Sequence, residues 1–275
     1  MRLAAFLLVT VTAAWAQLPN IPPNSIVNGA FALNQPIAPG SLISIFGTNL
    51  ATSLQHADSL PLSKSLGGVS VQFVNGSTTI QAPMLDTVLV NATPPYTQLN
   101  LQVPWDIIPP NAPQQTVNVV VTVDGVGSSQ PAPVTIGPFS PGIFFNGPDS
   151  RGAVQNFSDG TLAQPAGSFP GQTTHPAKAG DILIIYATGL GPVDSPPADG
   201  APAGSQLRSA LTPPIVMIGG ITAPFISSVL SPQFVGVYQL AVKVPDNAPV
   251  GDNVPVQIQL GGITSPASVI MAVSQ

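Results

Sequence analysis

The sequence predicts an all-β protein made of two tandem β-sandwiches, and three observations lead to that prediction. One run of motifs occurs twice, apolar and polar residues alternate along many short segments, and turn-forming residues separate those segments. Alternation with a period of two places every second side chain on one face of a sheet. Short strands with regular turns, in units of about 100 residues, are typical of a sandwich.

The repeat consists of three blocks that follow the same order in both halves of the chain. Residues 38–50 read APGSLISIFGTNL, and residues 178–190 read KAGDILIIYATGL. Gln98–Pro104 is echoed by Gln239–Pro245, and a short Asn-Ala-Pro block follows in each half. Three matched blocks in one order indicate that a single domain was duplicated.

Several segments alternate strictly, and their apolar positions are predicted to face a core. These positions are Val69, Val71 and Phe73; Leu99, Leu101 and Val103; Val117, Val119, Val121 and Val123; Leu240, Val242 and Val244; and Val254, Val256, Ile258 and Leu260. Residues 43–46 and 182–186 are more continuously apolar, which predicts central strands buried on both sides. The 33 prolines are too dense for long helices, because each removes a backbone donor and clashes with the preceding turn.

The two copies set the predicted domain boundaries. We expect an N-terminal extension over 17–25, a first sandwich over 26–137 and a second over 176–275. The interval 138–175 is a predicted connector that holds five of the 11 phenylalanines. A free linker would be polar and flexible. We therefore expect the connector either to pack against the sandwiches as a semi-rigid spacer or to complete the second core.

The first 16 residues have the pattern of a secretory signal peptide that forms a helix. Arg2 precedes an apolar run from Leu3 to Ala14, and Ala14-Trp15-Ala16 supplies small residues before a cut at Gln17. The alternative is a short buried helix. The run is too short to span a bilayer, and no later stretch is long enough to do so. The predicted location is secreted, or in the periplasm or cell envelope.

Composition excludes several functional classes. Charged residues make up 6% of the chain, against about 25% in typical soluble proteins. Six Lys and Arg residues cannot form the basic stripe that a nucleic-acid partner requires. The chain has no cysteine, which removes disulfides, thiolate metal sites and cysteine nucleophiles.

The segment Gly40–Leu50, a hydrophobic strand that runs into a Gly-x-Asn turn and an apolar plug, resembles the opening of IPT/TIG immunoglobulin-like domains. The wider order of motifs resembles the Solibacter-type uncharacterised C-terminal domain family of secreted acidobacterial proteins. The motifs that carry this second resemblance begin at Ile37, Leu66, Leu101, Pro141, Tyr186 and Phe234, and read IAPGSL, LGGV, LQVPW, PGIF, YATGLG and FVGVYQ. The resemblance implies an immunoglobulin-like fold, and it implies neither a biochemical function nor catalytic residues.

The sequence contains no evident catalytic constellation. His56 and His175 are isolated, and no Gly-x-Ser-x-Gly elbow is present. We therefore predict that the protein is not an enzyme, with a hydrolase as the alternative if a histidine meets Ser and Asp in the fold. No cofactor is expected. Calcium is a lesser alternative at two acidic pairs, although such residues also occur simply in turns; the pairs are Asp194 with Asp199 and Asp246 with Asp252.

Three aromatic residues are the candidate ligand contacts: Trp105, Tyr96 and Tyr238. The alternative for Tyr238, and for Tyr186, is a position in the core or at a corner of a sandwich. We predict a non-catalytic binding or structural module at the bacterial envelope, acting in adhesion or protein–protein contact. The alternative is a carbohydrate-binding accessory module, so the predicted partner is an unidentified extracellular protein or polysaccharide.

Overall fold

The computed structural model describes residues 17–90, 96–110, 112–147 and 149–275. Across these ranges the chain is all-β and contains no helix, as the sequence predicts. Accordingly, none of the described residues belongs to a helix long and apolar enough to cross a bilayer. The predicted signal peptide and its cleavage site at residue 16 lie outside the described residues.

Ten strands form the first half of the chain. They are β1 (Ile26–Asn28), β2 (Leu42–Gly47), β3 (Gln55–His56), β4 (Val69–Asn75), β5 (Thr78–Gln81), β6 (Met84–Val90), β7 (Tyr96–Gln102), β8 (Gln115–Val123), β9 (Gly127–Ser128) and β10 (Ala132–Ile136).

Thirteen strands form the second half. They are β11 (Gly142–Ile143), β12 (Phe145–Asn146), β13 (Arg151–Gly152), β14 (Val154–Asn156), β15 (Ala177–Lys178), β16 (Ile182–Thr188), β17 (Ile215–Ile218), β18 (Ile221–Thr222), β19 (Phe225–Leu230), β20 (Tyr238–Lys243), β21 (Gly251–Leu260), β22 (Ile263–Thr264) and β23 (Ile270–Ser274).

The first sandwich packs the sheet β1-β2-β7-β6-β3, called sheet 1 below, against the sheet β10-β8-β4-β5, with β9 beside β8. The alternating residues predicted to face the core do so. Ile45, Val71, Leu99 and Val121 are fully buried and belong to one apolar cluster between the sheets. Burial of each such side chain stabilises the fold by about 1.5–3 kcal/mol.

The second sandwich repeats this arrangement. One sheet has the order β11-β16-β20-β19, with β14 also beside β16. The other sheet contains the order β23-β21-β17-β18, which corresponds strand by strand to β10-β8-β4-β5 of the first sandwich. The register agrees as well, since Phe46 pairs with Gln98 in the first copy and Tyr186 with Gln239 in the second. The predicted tandem repeat of immunoglobulin-like sandwiches is therefore confirmed.

The interval 138–175 contributes four strands to the second sandwich, which agrees with the second of the two expectations given for it. Strands β11 and β14 pair with β16, and β12 and β13 join the sheet that contains β23, so the second sandwich begins at Gly142 rather than at residue 176. The physical reason is that β16 would otherwise leave the backbone N–H and C=O groups of one side unpaired. Strands β11 and β14 pair with that side, as β1 pairs with β2 in the first sandwich. Phe139 and Phe145 pack against the second core, whereas the side chain of Phe157 is 65% exposed.

The two sandwiches contact each other through buried hydrogen bonds. Asn28 Nδ2 donates to Ser140 O at 2.6 Å, and the Gly200 amide donates to Gln102 Oε1 at 2.7 Å. Both side chains are at most 1% exposed. Because buried amides are costly when unpaired, these bonds favour one relative orientation of the sandwiches.

Candidate functional site

The outer face of sheet 1 is shaped by the alternation along β2 and β7. Ile45 and Leu99 face the core, so their neighbours project to the opposite side of the sheet. Those neighbours are Phe46 on β2, and Gln98 and Asn100 on β7, and all three are half-buried. The outer face therefore carries large polar and aromatic side chains in register.

Four aromatic rings form a continuous line at one end of this face, and we call them the aromatic row. The ring centroids of Tyr96 and Phe46 are 6.0 Å apart, those of Phe46 and Phe31 are 6.1 Å apart, and those of Phe31 and Phe145 are 6.2 Å apart. Tyr96 is 39% exposed and Phe31 is 44% exposed. Because Phe145 lies on β12, the row crosses from the first sandwich to the second.

Phe31 reaches the centre of the row through a tight turn. Its amide donates to Asn28 O at 2.8 Å, and its φ is 53°, a left-handed conformation that is rare for a bulky residue. Asn28 Oδ1 accepts the Ala30 amide at 2.7 Å while its Nδ2 holds Ser140. The same buried side chain therefore orders the turn and joins the two sandwiches, and backbone strain of this kind is concentrated at functional sites.

A polar network runs beside the aromatic row and consists of Ser44, Gln98, Asn100, Asp86 and His56. Ser44 Oγ and Gln98 Nε2 each donate to Asn100 Oδ1 at 2.8 Å. Asn100 Nδ2 donates to Asp86 Oδ2 at 3.1 Å, and His56 Nδ1 lies 2.7 Å from Asp86 Oδ1. The network extends from β2 across β7 and β6 to β3.

This network orients side chains while leaving hydrogen-bonding capacity on the surface. Within the described residues, Gln98 Oε1 and His56 Nε2 take part in none of the network's bonds. An amide offers both donors and acceptors, and a carboxylate offers several acceptor positions. The face can thus bond hydroxyl groups next to exposed rings, with side chains that are ordered before a ligand arrives.

Of the predicted contacts, only Tyr96 lies on this face, and its role as a contact stays a prediction. Trp105 does not lie on this face: its side chain is 8% exposed and packs in the core cluster of the second sandwich, and its role as a contact also stays a prediction. A Cβ atom on Gly40 would lie 2.2 Å from Trp105 Cη2. The ring is buried because it follows strand β7 directly into the junction of the sandwiches.

Tyr238 is likewise not a surface contact. It is 1% exposed in the second core, and its hydroxyl donates to Gly191 O. Burial raises the pKa of its phenol above the ordinary range, because the charged form would be desolvated. Tyr186, the other candidate core residue, is half-buried and donates to Gln155 Oε1 at 3.0 Å.

Each histidine lies beside an aspartate. His56 contacts Asp86, and His175 Nε2 lies 2.8 Å from Asp159 Oδ2. In the described part of the chain neither histidine is hydrogen-bonded to a serine hydroxyl, so no Ser-His-Asp arrangement is assembled there. The bond to Asp159 raises the pKa of His175, and the same bond lowers the pKa of Asp159 to about 2.

The aspartates considered for calcium take part in separate hydrogen bonds and ion pairs. Asp194 Oδ1 accepts the Ser209 amide at 3.1 Å, and Asp199 Oδ1 accepts the Trp105 amide at 2.9 Å across the junction. Asp246 lies 3.8 Å from Lys243. Over the ranges described, no three His, Cys, Asp or Glu side chains cluster to hold a metal, and calcium binding stays a prediction.

No family model matches the chain, and no curated protein is significantly similar to it. Among solved structures it is similar to the Bacteroides ovatus glucan-utilization protein SGBP-B in complex with a mixed-linkage heptasaccharide. The identity is 14%, the TM-score is 0.34, and the match covers 97% of this chain and 48% of that chain. This chain therefore spans about half the length of that protein.

Fibronectin(III)-like modules of Clostridium thermocellum CbhA share 14% identity, with 90% of this chain and 94% of that chain covered and a TM-score of 0.19. A structure of titin A168169 shares 11% identity, with 94% of this chain and 100% of that chain covered and a TM-score of 0.22. At these scores the similarities describe the fold class and carry no argument about a ligand.

Sequence reasoning missed most of the site. The run 43–46 predicts a strand buried on both sides, and Phe46 is instead half-buried and faces outward. Phe31 lies outside every alternating segment, and Phe145 is marked only by the density of phenylalanines in 138–175, which does not reveal its contact with Phe31. The alternation of Gln98 and Asn100 with apolar residues was the usable signal, because it already placed two amides together on the solvent face.

Proposed function

We propose that the protein is a non-catalytic binding module that recognises a neutral polysaccharide outside the cell, through the outer face of sheet 1. The observation that supports this proposal is the exposed aromatic row lying beside the polar network. Of the functions considered from the sequence, this was the alternative to adhesion, and the geometry of the site favours it.

The chemistry of a sugar matches both parts of the face. A pyranose ring presents an apolar C–H surface that stacks on an aromatic ring, and its edge presents hydroxyl groups. Tyr96 and Phe31 offer exposed rings, while Gln98 and Asp86 offer amide and carboxylate groups on the same side of the sheet. Ligand sites commonly combine apolar area with a few oriented polar groups, as this face does.

The arrangement of the aromatic row and the charge of the chain restrict the polysaccharides that we expect to bind. Adjacent rings are tilted by 38° to 64°, so the row is not a flat platform of the kind that would match a crystalline surface. A single twisted glycan chain can follow it. The formal net charge of −5 disfavours acidic polysaccharides, because like charges repel on approach.

Export and family membership are parts of this proposal. Export is supported by the pattern of the first 16 residues, and membership of the Solibacter-type family is supported by the order of the motifs given above. Adhesion through a protein partner would use the same exposed rings, and it is the competing outcome of the test.

The test measures binding of the full chain to hydroxyethyl cellulose, xylan and galactomannan by affinity electrophoresis and calorimetry. We expect at least one of these neutral polysaccharides to bind, and Tyr96→Ala and Phe31→Ala each to weaken that binding roughly tenfold, or about 1.4 kcal/mol. Polygalacturonate, which is acidic, is expected to bind less than the neutral probes.

Phe157→Ala is the matched control, because Phe157 is 65% exposed and lies outside the aromatic row. It should leave binding unchanged. Absence of binding to every neutral probe, or equal loss in the Phe157 and Tyr96 variants, contradicts the proposal. Retention of a protein partner that depends on Tyr96, with no glycan bound, favours adhesion instead.

A further inference from the structure

Three Asn-Gly pairs occur in the chain, and they begin at Asn28, Asn75 and Asn146. An asparagine in such a pair loses ammonia spontaneously in water, because the backbone nitrogen of the next residue attacks the side-chain carbonyl. Glycine obstructs this attack least, since it has no Cβ atom. In a folded chain the reaction also requires an accessible side chain and an attacking nitrogen that is not hydrogen-bonded. The fold therefore decides which of the three pairs reacts.

The pair at Asn28 is protected at both reacting groups. The side chain is 1% exposed, and its Nδ2 donates to Ser140 O at 2.6 Å and to Ser140 Oγ at 3.0 Å. The attacking nitrogen, that of Gly29, donates to Leu42 O at 2.8 Å. Reaction at this pair consequently requires local unfolding of the strand edge.

The pair at Asn75 is protected through its side chain. Asn75 ends β4 and is half-buried, and its Nδ2 donates to Ile107 O and to Gln115 Oε1, each at 3.1 Å. Both bonds must break before the amide can turn towards the Gly76 nitrogen. We expect this requirement to slow the reaction roughly tenfold.

The pair at Asn146 has neither form of protection. Asn146 ends β12 and is exposed, and its side chain is hydrogen-bonded to none of the described residues. Gly147 is also exposed, its φ is 73°, and its N–H donates to no acceptor in the same part of the chain. The side-chain carbonyl and the attacking nitrogen can therefore meet without unfolding any strand.

We propose that Asn146 is a site of spontaneous deamidation, and that this modification alters the aromatic row. The Gly147 nitrogen bonds to Asn146 Cγ, and its proton, carried by water, completes the ammonia that leaves as the Cγ–Nδ2 bond breaks. Water then opens the resulting succinimide at one of its two carbonyl groups. One opening gives aspartate, and the other gives isoaspartate, in which the main chain runs through the former side chain.

The two products differ in their effect on the neighbouring Phe145. Asn146 lies opposite Arg151 in register, so an aspartate gains a cationic neighbour and the strand pairing is kept. Isoaspartate adds one atom to the main chain, which disrupts the pairing of a strand only two residues long. Phe145, whose ring centroid lies 6.2 Å from that of Phe31, then loses its position in the aromatic row.

The test follows all three pairs in one sample of the full chain. The protein is kept in mildly alkaline water enriched in ¹⁸O and is digested with pepsin at intervals for mass spectrometry, so that the label marks deamidation during the incubation. Asn146 should react at least roughly tenfold faster than Asn75, and Asn28 should be the slowest. In guanidinium chloride the three rates should converge, because the unfolded chain protects none of the pairs.

Two variants and one contact sharpen the test. Asn146→Gln should remove the modification, because glutamine would have to form a six-membered ring, which closes far more slowly. Asn118→Gln, at an exposed strand asparagine that precedes valine, is the matched control and should leave the modification of Asn146 unchanged. The nuclear Overhauser contact between the rings of Phe31 and Phe145 should weaken in the isoaspartate form and persist in Asn146→Asp.

Three results overturn the proposal. They are modification of Asn75 or Asn28 before Asn146, the same ranking of rates in guanidinium chloride as in the folded protein, and an undiminished contact between the two rings in the isoaspartate form. Absence of glycan binding at the outer face of sheet 1 has no bearing on it, because none of these measurements uses a glycan.

Discussion

The two sandwiches place different chemistry at the same positions of the same sheet. Ser44 pairs with Asn100 in the first copy, and Ile184 pairs with Ala241 at the matching register of the second. The first pair is joined by a side-chain hydrogen bond within the polar network, and the second pair can form none. The duplicated fold is therefore a scaffold, and a few outward-facing positions decide whether it carries a site.

A second matched pair shows the same divergence at the edge of the sheet. Asn28 on β1 lies opposite Ile43, and Asn156 on β14 lies opposite Leu183. Both side chains are 1% exposed. Asn28 bonds across the junction of the sandwiches, whereas Asn156 bonds locally to Thr161 and His175. A buried asparagine at matching positions therefore joins the two sandwiches in the first copy and forms only local bonds in the second.

The strongest destabilisation should come from Tyr238, whose match in the first copy is Thr97; the two residues lie opposite Ala187 and Gly47, respectively. Tyr238→Ala should lower the free energy of unfolding by about 3–5 kcal/mol, since it removes a buried aromatic ring from the second core. Thr97→Ala should cost about 1 kcal/mol. Urea denaturation measures both, and equal costs would show that the two cores are packed alike at this position.

The next largest effect concerns the junction. Asn28→Ala removes the bonds to Ser140, so the Ser140 carbonyl and the Ala30 amide both lose their partner. We expect the free energy of unfolding, measured by urea denaturation, to fall by about 2–3 kcal/mol. The substitution should also weaken glycan binding, because the turn that carries Phe31 loses its support. Asn156→Ala should destabilise the second sandwich yet leave glycan affinity intact, and a loss of affinity there would contradict this division.

The fold could be predicted from the sequence because it depends on repetition and alternation, which are visible along the chain. Most of the site could not, apart from Tyr96 and the alternation of Gln98 and Asn100, because its other parts are brought together by turns and by the packing of one sandwich on the other. Phe31, Phe46 and Phe145 are distant in sequence and meet only in the fold. The burial of Trp105 has the same origin, since strand β7 alone does not reveal that another sandwich covers its end.

A smaller effect is expected when the first copy is given the residues of the second. Ser44→Ile combined with Asn100→Ala removes both partners of one hydrogen bond and leaves the half-buried Gln98 and Asp86 side chains to bond water, so stability should change by less than about 1 kcal/mol. Glycan affinity should fall roughly tenfold, because Gln98 and Asp86 lose the side chain that orients them. Calorimetry with the glycan that binds the natural chain measures this, and unchanged affinity would remove the polar network from the site.

The smallest effect is a pH dependence confined to the second copy. The hydrogen bond to Asp159 raises the pKa of His175 above 6.5, with a smaller contribution from Pro176 O, and it lowers the pKa of Asp159 from 3.8 to about 2. The stabilisation from the raised histidine is present below pH 6.5 and is lost as the pH rises through the raised value.

The stabilisation from the lowered aspartate is present above pH 3.8 and is lost as the pH falls towards 2. The pair therefore contributes most between about pH 3.8 and 6.5, and weakly, since the His175 and Asp159 side chains are 43% and 45% exposed. Asp159→Asn should lower the pKa of His175 towards 6.5 in an NMR titration. Asp246→Asn, at an 87% exposed carboxylate paired with Lys243, should leave that titration unchanged, and an identical shift in both variants would mean that net charge rather than the hydrogen bond sets the pKa.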